Sequence, residues 1–194
     1  MGYAGRILHI DLSTGKTETE PLKEELAKKY VGGIGLGIRL LIDHTKPGVD
    51  PLSPENPLIL ATGPLSGSMA PTAGNGHAFV AKSPQSGAVG EAKSHGFFGA
   101  EMKRAGYDAV VFKGRAEKPV YVWIDDDTVQ LMDAKHLWGK SCEETEDAII
   151  EELKDHYIRV ASIGPAGEKL VRFACILNEK TRAAGRTGLS LIHI

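Results

Sequence analysis

Residues 58–67 read Leu-Ile-Leu-Ala-Thr-Gly-Pro-Leu-Ser-Gly, and residues 158–168 read Ile-Arg-Val-Ala-Ser-Ile-Gly-Pro-Ala-Gly-Glu. Each is a short apolar run that stops at Gly-Pro, where proline removes a ladder donor and glycine frees the turn. Ahead of the first lies ILHIDLSTGKTETE (7–20), and ahead of the second VYVWIDDDTVQLMD (120–133). Both alternate apolar and polar residues around a turn, as hairpins with one wet face do, and both hold an Ile-Asp pair before it. A helical stretch follows each hairpin and a further strand follows each Gly-Pro loop. Two copies of hairpin, helix, strand, Gly-Pro loop and strand, about a hundred residues apart, predict an internally duplicated α+β domain. It should contain two mixed β-sheets related by a pseudo-twofold, with a few flanking helices. Hairpins and Gly-Pro turns are common, so chance similarity is the competing reading. If the repeat is real, Gly63-Pro64 and Gly164-Pro165 should meet at one end of the sheets, with room for a ligand between them.

The remaining elements follow from local signals. LKEELAKKYV and GIRLLIDH read as helices, the second entered through the glycines at 32, 33, 35 and 37. HAFVAKS, DAVVFKG, IRVASIG and VRFACIL read as strands, and FFGAEMKRAG as a helix stopped by Gly106. Ser141 followed by Glu144 forms a capping box ahead of the apolar stripe Ile149, Ile150 and Leu153.

Composition limits what these elements can do. The chain has 194 residues, 42% of them hydrophobic, enough for one well-packed core. A net charge of −2 supplies no global field for nucleic acid or an anionic membrane, so any anion site must be built locally. No apolar run reaches a membrane span and the N-terminus lacks secretory features, which makes a cytoplasmic location the expectation. Cys142 and Cys175 are far apart in sequence and exclude a disulfide framework or a zinc or iron–sulfur site made by cysteines of this segment. Both are expected to be buried as small hydrophobes.

Gly32 to Gly37 (GGIGLG) resembles a dinucleotide fingerprint, but Ile38 or Leu40 stands where its third glycine belongs, and it follows a helix. Anion binding is better placed in TRAAGRTG (181–188), where Arg182 and Arg186 flank Ala183-Ala184-Gly185. Guanidiniums match phosphate oxygens with forked donors, and small residues let backbone amides approach a ligand. A solvated basic loop is the plain alternative. Two more glycine-rich loops, GPLSGSMAPTAGNGH and KSHGFFGAE, favour close backbone approach in the same way. His77, His95 and His136 lack the spacing of a metal site and read as loop or packing histidines, and Asp125 to Asp127 as turn residues.

LSPENPLILATGPLSG, AKSPQSG, GFFGAEMKRAGYDAVVFKGRAEKPVYVWI, HLWGKSCEETE and ASIGPAGEKLVRFACILNEKTRAAGRTG together resemble the N-terminal domain of the tungsten-containing aldehyde ferredoxin oxidoreductase family, from Gly5 to Gly188. The resemblance implies two six-stranded sheets forming the floor under a tungsten bis-pyranopterin, or its molybdenum equivalent. It implies cofactor contacts at Asn75, Gly76, Lys93, Ser94, His95, Gly96, Arg182, Ala183, Gly185 and Arg186. It also implies a magnesium ion between the pterin phosphates, held by the backbone carbonyls of Lys93 and Ala183. The family commonly has Asn-Ser-Gly-Gly where this chain has Lys93-Ser94-His95-Gly96, and an arginine near Asn75-Gly76. No catalytic residue is expected in this segment.

What the resemblance implies for the whole protein is oxidation of a small aldehyde to a carboxylate, with electrons leaving through a [4Fe–4S] cluster to ferredoxin. The cluster and substrate pocket belong to C-terminal domains, without which the fragment should be inactive; a homodimer is compatible with this. Related members act on other substrates, acyl-CoA ring reduction among them, and a stand-alone pterin- or phosphate-binding module is a non-enzyme alternative. Residues 1–188 are expected to be the domain, cut from a longer protein, and LSLIHI (189–194) to be a non-native tail.

Overall fold

The computed structural model describes residues 2–70 and 75–191. Eleven strands run in chain order as β1 (Arg6–Asp11), β2 (Lys16–Pro21), β3 (Leu58–Thr62), β4 (His77–Lys82), β5 (Val89–Ser94), β6 (Ala109–Lys113), β7 (Val120–Asp125), β8 (Thr128–Asp133), β9 (Ala161–Ser162), β10 (Ile176–Asn178) and β11 (Arg182–Ala184). The helices are α1 (Glu24–Tyr30), α2 (Gly33–His44), α3 (Phe98–Arg104), α4 (Cys142–Leu153) and α5 (Pro165–Glu168), with a 3-10 turn at Leu189–Leu191. Among the described residues no helix is long and apolar enough to cross a membrane.

The first half builds a six-stranded sheet in the order β2-β1-β6-β3-β4-β5, with β1 and β6 parallel and every other pair antiparallel. Its central strands are continuous apolar runs because both faces are covered. Ile7, Ile59, Ala61, Val80 and Val111 point to one face, where Leu36, Leu40 and Leu41 of α2 cover them. Gly37 lets α2 approach, since a Cβ there would lie 2.7 Å from Val80 Cγ2. The alternate residues Leu8, Ile10, Leu60, Phe79 and Val110 face the second half, meeting Val122, Ile124, Val129 and Leu131 of the β7–β8 hairpin together with Ile176, Ala184 and Leu189. Each large side chain so buried contributes about 1.5–3 kcal/mol of transfer free energy.

The second half repeats the order of the first. Hairpin β7–β8 matches β1–β2, α4 takes the place of α2, and the antiparallel meander β9-β10-β11 matches β3-β4-β5. The second sheet is divided, however, into two-stranded β7–β8 and three-stranded β11-β10-β9. Other departures from the sequence reading are local. Residues 93–94 and 182–184 lie in strands where loops were expected, and the glycines from Gly33 to Gly37 lie inside α2. VRFACIL is extended only from Ile176, and IRVASIG only at Ala161–Ser162. Cys142 is buried and Cys175 partly so.

Candidate functional site

Strand pairing assembles most of the expected contact residues. His77 faces Ser94 and Ala78 faces Lys93 across the β4–β5 pair, so Asn75-Gly76 and His95-Gly96 emerge at the same open end. A Cβ added to Gly76 would lie 3.6 Å from the His95 ring. In the second half Asn178 faces Arg182 and Leu177 faces Ala183. Buried Asn178 ties the halves together, accepting from Ser94 Oγ at 2.6 Å and donating to the His95 carbonyl at 2.8 Å. A buried amide so satisfied costs little and fixes its neighbours. β11 therefore packs along β5. In the repeat these two strands are counterparts, and Lys93 and Ala183 are the penultimate residue of each.

The arginine loop is anchored on three sides. The Glu179 carboxylate accepts from the Phe97 and Phe98 amides at the start of α3, the second at 2.8 Å. It leaves no space at Gly96, where φ is +101° and a Cβ would meet the carboxylate at 2.6 Å. The Lys180 amide donates to Glu146 Oε2 of α4 at 3.0 Å while its ammonium pairs with Asp147. Ser83 Oγ donates to the Thr187 carbonyl at 2.7 Å. Between these anchors Glu179, Lys180, Arg186 and Thr187 have φ between +49° and +63°, a region that non-glycine residues hold only where their surroundings impose it. Arg182 and Arg186 are exposed, and among the described residues neither guanidinium forms an ion pair or hydrogen bond. The same is true of the Lys93 ammonium and the His95 ring.

Beside them is a cavity of about 350 Å³, walled by Gly32 to Ile34, Gly63 to Ser66, Gly76 to Ala78 and Lys93 to His95. Gly63-Pro64 thus lines the cavity. Gly164-Pro165 does not, for Pro165 opens α5 and Gly164 packs near the Cys142 thiol. The arginine loop adjoins the cavity through β5 and β11 without lining it.

His77, read from the sequence as a loop or packing histidine, is buried at the start of β4. Its ring sits between Phe79 and Phe98, with centroids 5.6 and 5.4 Å away, and against Gly99. Burial, and then the nearby His95, lower its pKa to about 4, so the ring is neutral at pH 7. The Asn75 backbone lies close enough to favour the charged ring slightly but forms no hydrogen bond with it. Neither ring nitrogen has a partner among the described residues. Also among those residues, no cluster of three or more His, Cys, Asp or Glu side chains could hold a metal ion. A cation here would need backbone oxygens and ligand atoms.

A family model described as aldehyde ferredoxin oxidoreductase, N-terminal domain, matches residues 7–192. The tungsten-containing aldehyde ferredoxin oxidoreductases of Pyrococcus furiosus and Thermococcus kodakarensis are each 52% identical over 191 residues, covering 98% of this chain and 31% of the relative. The WOR-like subunit of an aliphatic sulfonate oxidoreductase from Pyrococcus furiosus is 34% identical over 205 residues, 98% of this chain and 32% of that protein. Among solved structures, the active-site complex BamBC of benzoyl coenzyme A reductase, bound to 1,5-dienoyl-CoA, superposes with a TM-score of 0.95 at 37% identity, over 98% of this chain and 29% of that one. The chain therefore spans about a third of the length of the relatives it matches.

Proposed function

We propose that this chain, which belongs to the aldehyde ferredoxin oxidoreductase family and corresponds to its N-terminal domain, forms the phosphate-binding floor beneath a tungsten bis-pyranopterin, or the molybdenum equivalent. The observation that carries the reading is the convergence of segments 75–76, 93–96 and 182–186, joined by Asn178, with the Lys93, Arg182 and Arg186 side chains and the His95 ring left without partners among the described residues. In a chain of net charge −2, that local surplus suits a polyanionic ligand.

The residues present fit such a group. Arg182 and Arg186 would take phosphate oxygens, and the glycines at 76, 96 and 185 let the backbone come close. Lys93 and Ala183, counterparts in the repeat, would hold a magnesium ion through their backbone carbonyls. His95 beside side-chain-free Gly76 returns basic character to a region where the family's usual arginine is missing. When bound, the metallopterin supplies two-electron oxidation of an aldehyde to a carboxylate. This domain's part is to bind, orient and shield it. Electron exit through a [4Fe–4S] cluster to ferredoxin is assigned to the remaining two thirds of the protein.

The likeness to the benzoyl coenzyme A reductase complex favours a second reading, reduction of an acyl-CoA ring on the same floor. The test is to express the full-length protein containing this domain with tungstate and with molybdate. Bound metal, pterin fluorescence after oxidation and aldehyde-dependent viologen reduction are expected. Turnover only with a dienoyl-CoA would select the second reading, and protein free of metal and pterin would overturn both.

A further inference from the structure

We propose that Ser66 and Lys103 are positioning residues: together they clamp the turn at residues 63–66 and, through it, set where Gly76 stands in the cavity wall. This rests on the metallopterin reading and deepens it, naming two residues outside the expected contact set that act on the ligand through Gly76.

The turn is fastened to Gly76 by one buried hydroxyl. Ser66 Oγ donates to the Gly76 carbonyl at 2.7 Å and accepts from the Gly63 amide at 3.2 Å, while the Ser66 amide returns to the Gly63 carbonyl at 3.1 Å. A hydroxyl has a single hydrogen, so the bond to Gly76 fixes its rotation and leaves its lone pairs for Gly63. On its other side the turn meets the opposite cavity wall backbone to backbone, since a Cβ at Gly32 would lie 2.6 Å from the Thr62 carbonyl oxygen and 2.8 Å from Gly63 Cα. The walls at 32–34 and 76–78 therefore take their spacing from the turn between them.

Lys103 fixes the turn to the body of the domain. Its ammonium lies 2.8 Å from Asp108 Oδ1, 2.8 Å from the Gly63 carbonyl and 2.8 Å from the Gly2 carbonyl, which gives each of its three hydrogens an acceptor. Asp108 is fully buried; its carboxylate also accepts from the Ala4 and Gly5 amides at 3.1 and 2.6 Å, and its backbone carbonyl from the Thr62 amide, next to the turn, at 2.9 Å. Replacing a buried ion pair by uncharged groups of similar shape often costs little stability, whereas the charge-assisted hydrogen bonds it makes fix direction. What Lys103 and Asp108 supply here is the placement of the Gly63 carbonyl. Gly76 stands beside the His95 ring and leads β4 into its pairing with β5, so a shift of the turn would move this glycine against the expected contacts at Lys93 to His95.

The experiment sets loading against stability. Full-length protein containing this domain is expressed with tungstate and with molybdate, and its metal and pterin content is compared with the melting temperature of the 194-residue chain carrying the same substitution. Ser66→Ala should lower metal and pterin content about tenfold, a usual loss when a residue supporting a ligand shell is removed, and Ser66→Thr, which keeps the hydroxyl, should restore it. Ile149→Val, a core change in the α4 cluster with Leu137 and Val160 chosen for a similar drop in melting temperature, should load fully. Lys103→Met combined with Asp108→Asn removes both charges together, leaves neither buried alone and should lower loading as Ser66→Ala does, which carries the test if that variant fails to fold. Full loading of the folded Ser66 and Lys103 variants, or an equal loss in Ile149→Val, overturns the positioning role and leaves the metallopterin reading intact. Wild-type protein free of metal and pterin overturns that reading and this proposal with it.

Discussion

Two single residues show how the site and the fold share costs. His77 has a pKa near 4 when folded and an ordinary value near 6.5 when unfolded, so the unfolded chain binds the extra proton between these limits. Stability is complete above about pH 6.5 and declines as pH falls through 4, by about 3 kcal/mol for a shift of this size. Urea denaturation at stepped pH should show that slope, and His77→Phe should flatten it. Gly96 carries a different cost. Alanine there would meet a φ of +101° and displace the Glu179 carboxylate from the start of α3, so Gly96→Ala should destabilise the domain by about 1–3 kcal/mol in the same assay. The sequence shows a glycine at 96 and a histidine at 77, but only their tertiary neighbours make the first obligatory and leave the second unpaired. Arg182 and Arg186 could be picked out because chemistry is written in their side chains.

At the level of elements, what could be read was whatever local chemistry specifies. Both hairpins have their turns where the alternation stops, and the capping box at Ser141 is formed, with the Glu144 amide donating to Ser141 Oγ at 3.2 Å and the Ser141 amide to Glu144 Oε2 at 2.8 Å. Ser141→Ala should cost about 1 kcal/mol in thermal or chemical unfolding, the usual loss for a removed N-cap. β5 and β11 were not legible for a reason of the opposite kind. Val89-Gly-Glu-Ala-Lys-Ser and Arg182-Ala-Ala hold few β-branched or aromatic residues, and they are strands because β4 and β10 offer them ladders. These two strands carry the Lys93 and Ala183 carbonyls, so the proposal of those carbonyls as magnesium ligands rests on resemblance rather than propensity. Conversely, α2 holds glycines that lower its intrinsic propensity, and packing on the sheet outweighs this. Leu40→Ala, which opens a cavity against that sheet, should cost about 2–5 kcal/mol.

Across the whole molecule the two halves differ in how the hairpin is joined to the meander. In the first, β6 lies between β1 and β3 and joins the hairpin to the meander. The second half holds β7–β8 and β9-β10-β11 with no strand between them among the described residues. In the first half the chain reaches β6 through α3, which starts four residues after β5 ends at Ser94; the 3-10 turn at Leu189 starts five after β11 ends at Ala184. β6 itself begins fifteen residues after Ser94, and the same interval from Ala184 gives position 199, past Ile194. The longer relatives have chain to supply such a strand, which would run parallel to β7 and antiparallel to β9 as β6 does to β1 and β3. Open edges invite pairing. Amides on the open side of Val120–Asp125 should therefore exchange quickly in the 194-residue chain and become protected in a longer protein extended past the position equivalent to β6, with a rise in melting temperature. Protection already present without the extension, or unchanged by it, would mean that the duplication ends at the meander and that the halves were never equivalent.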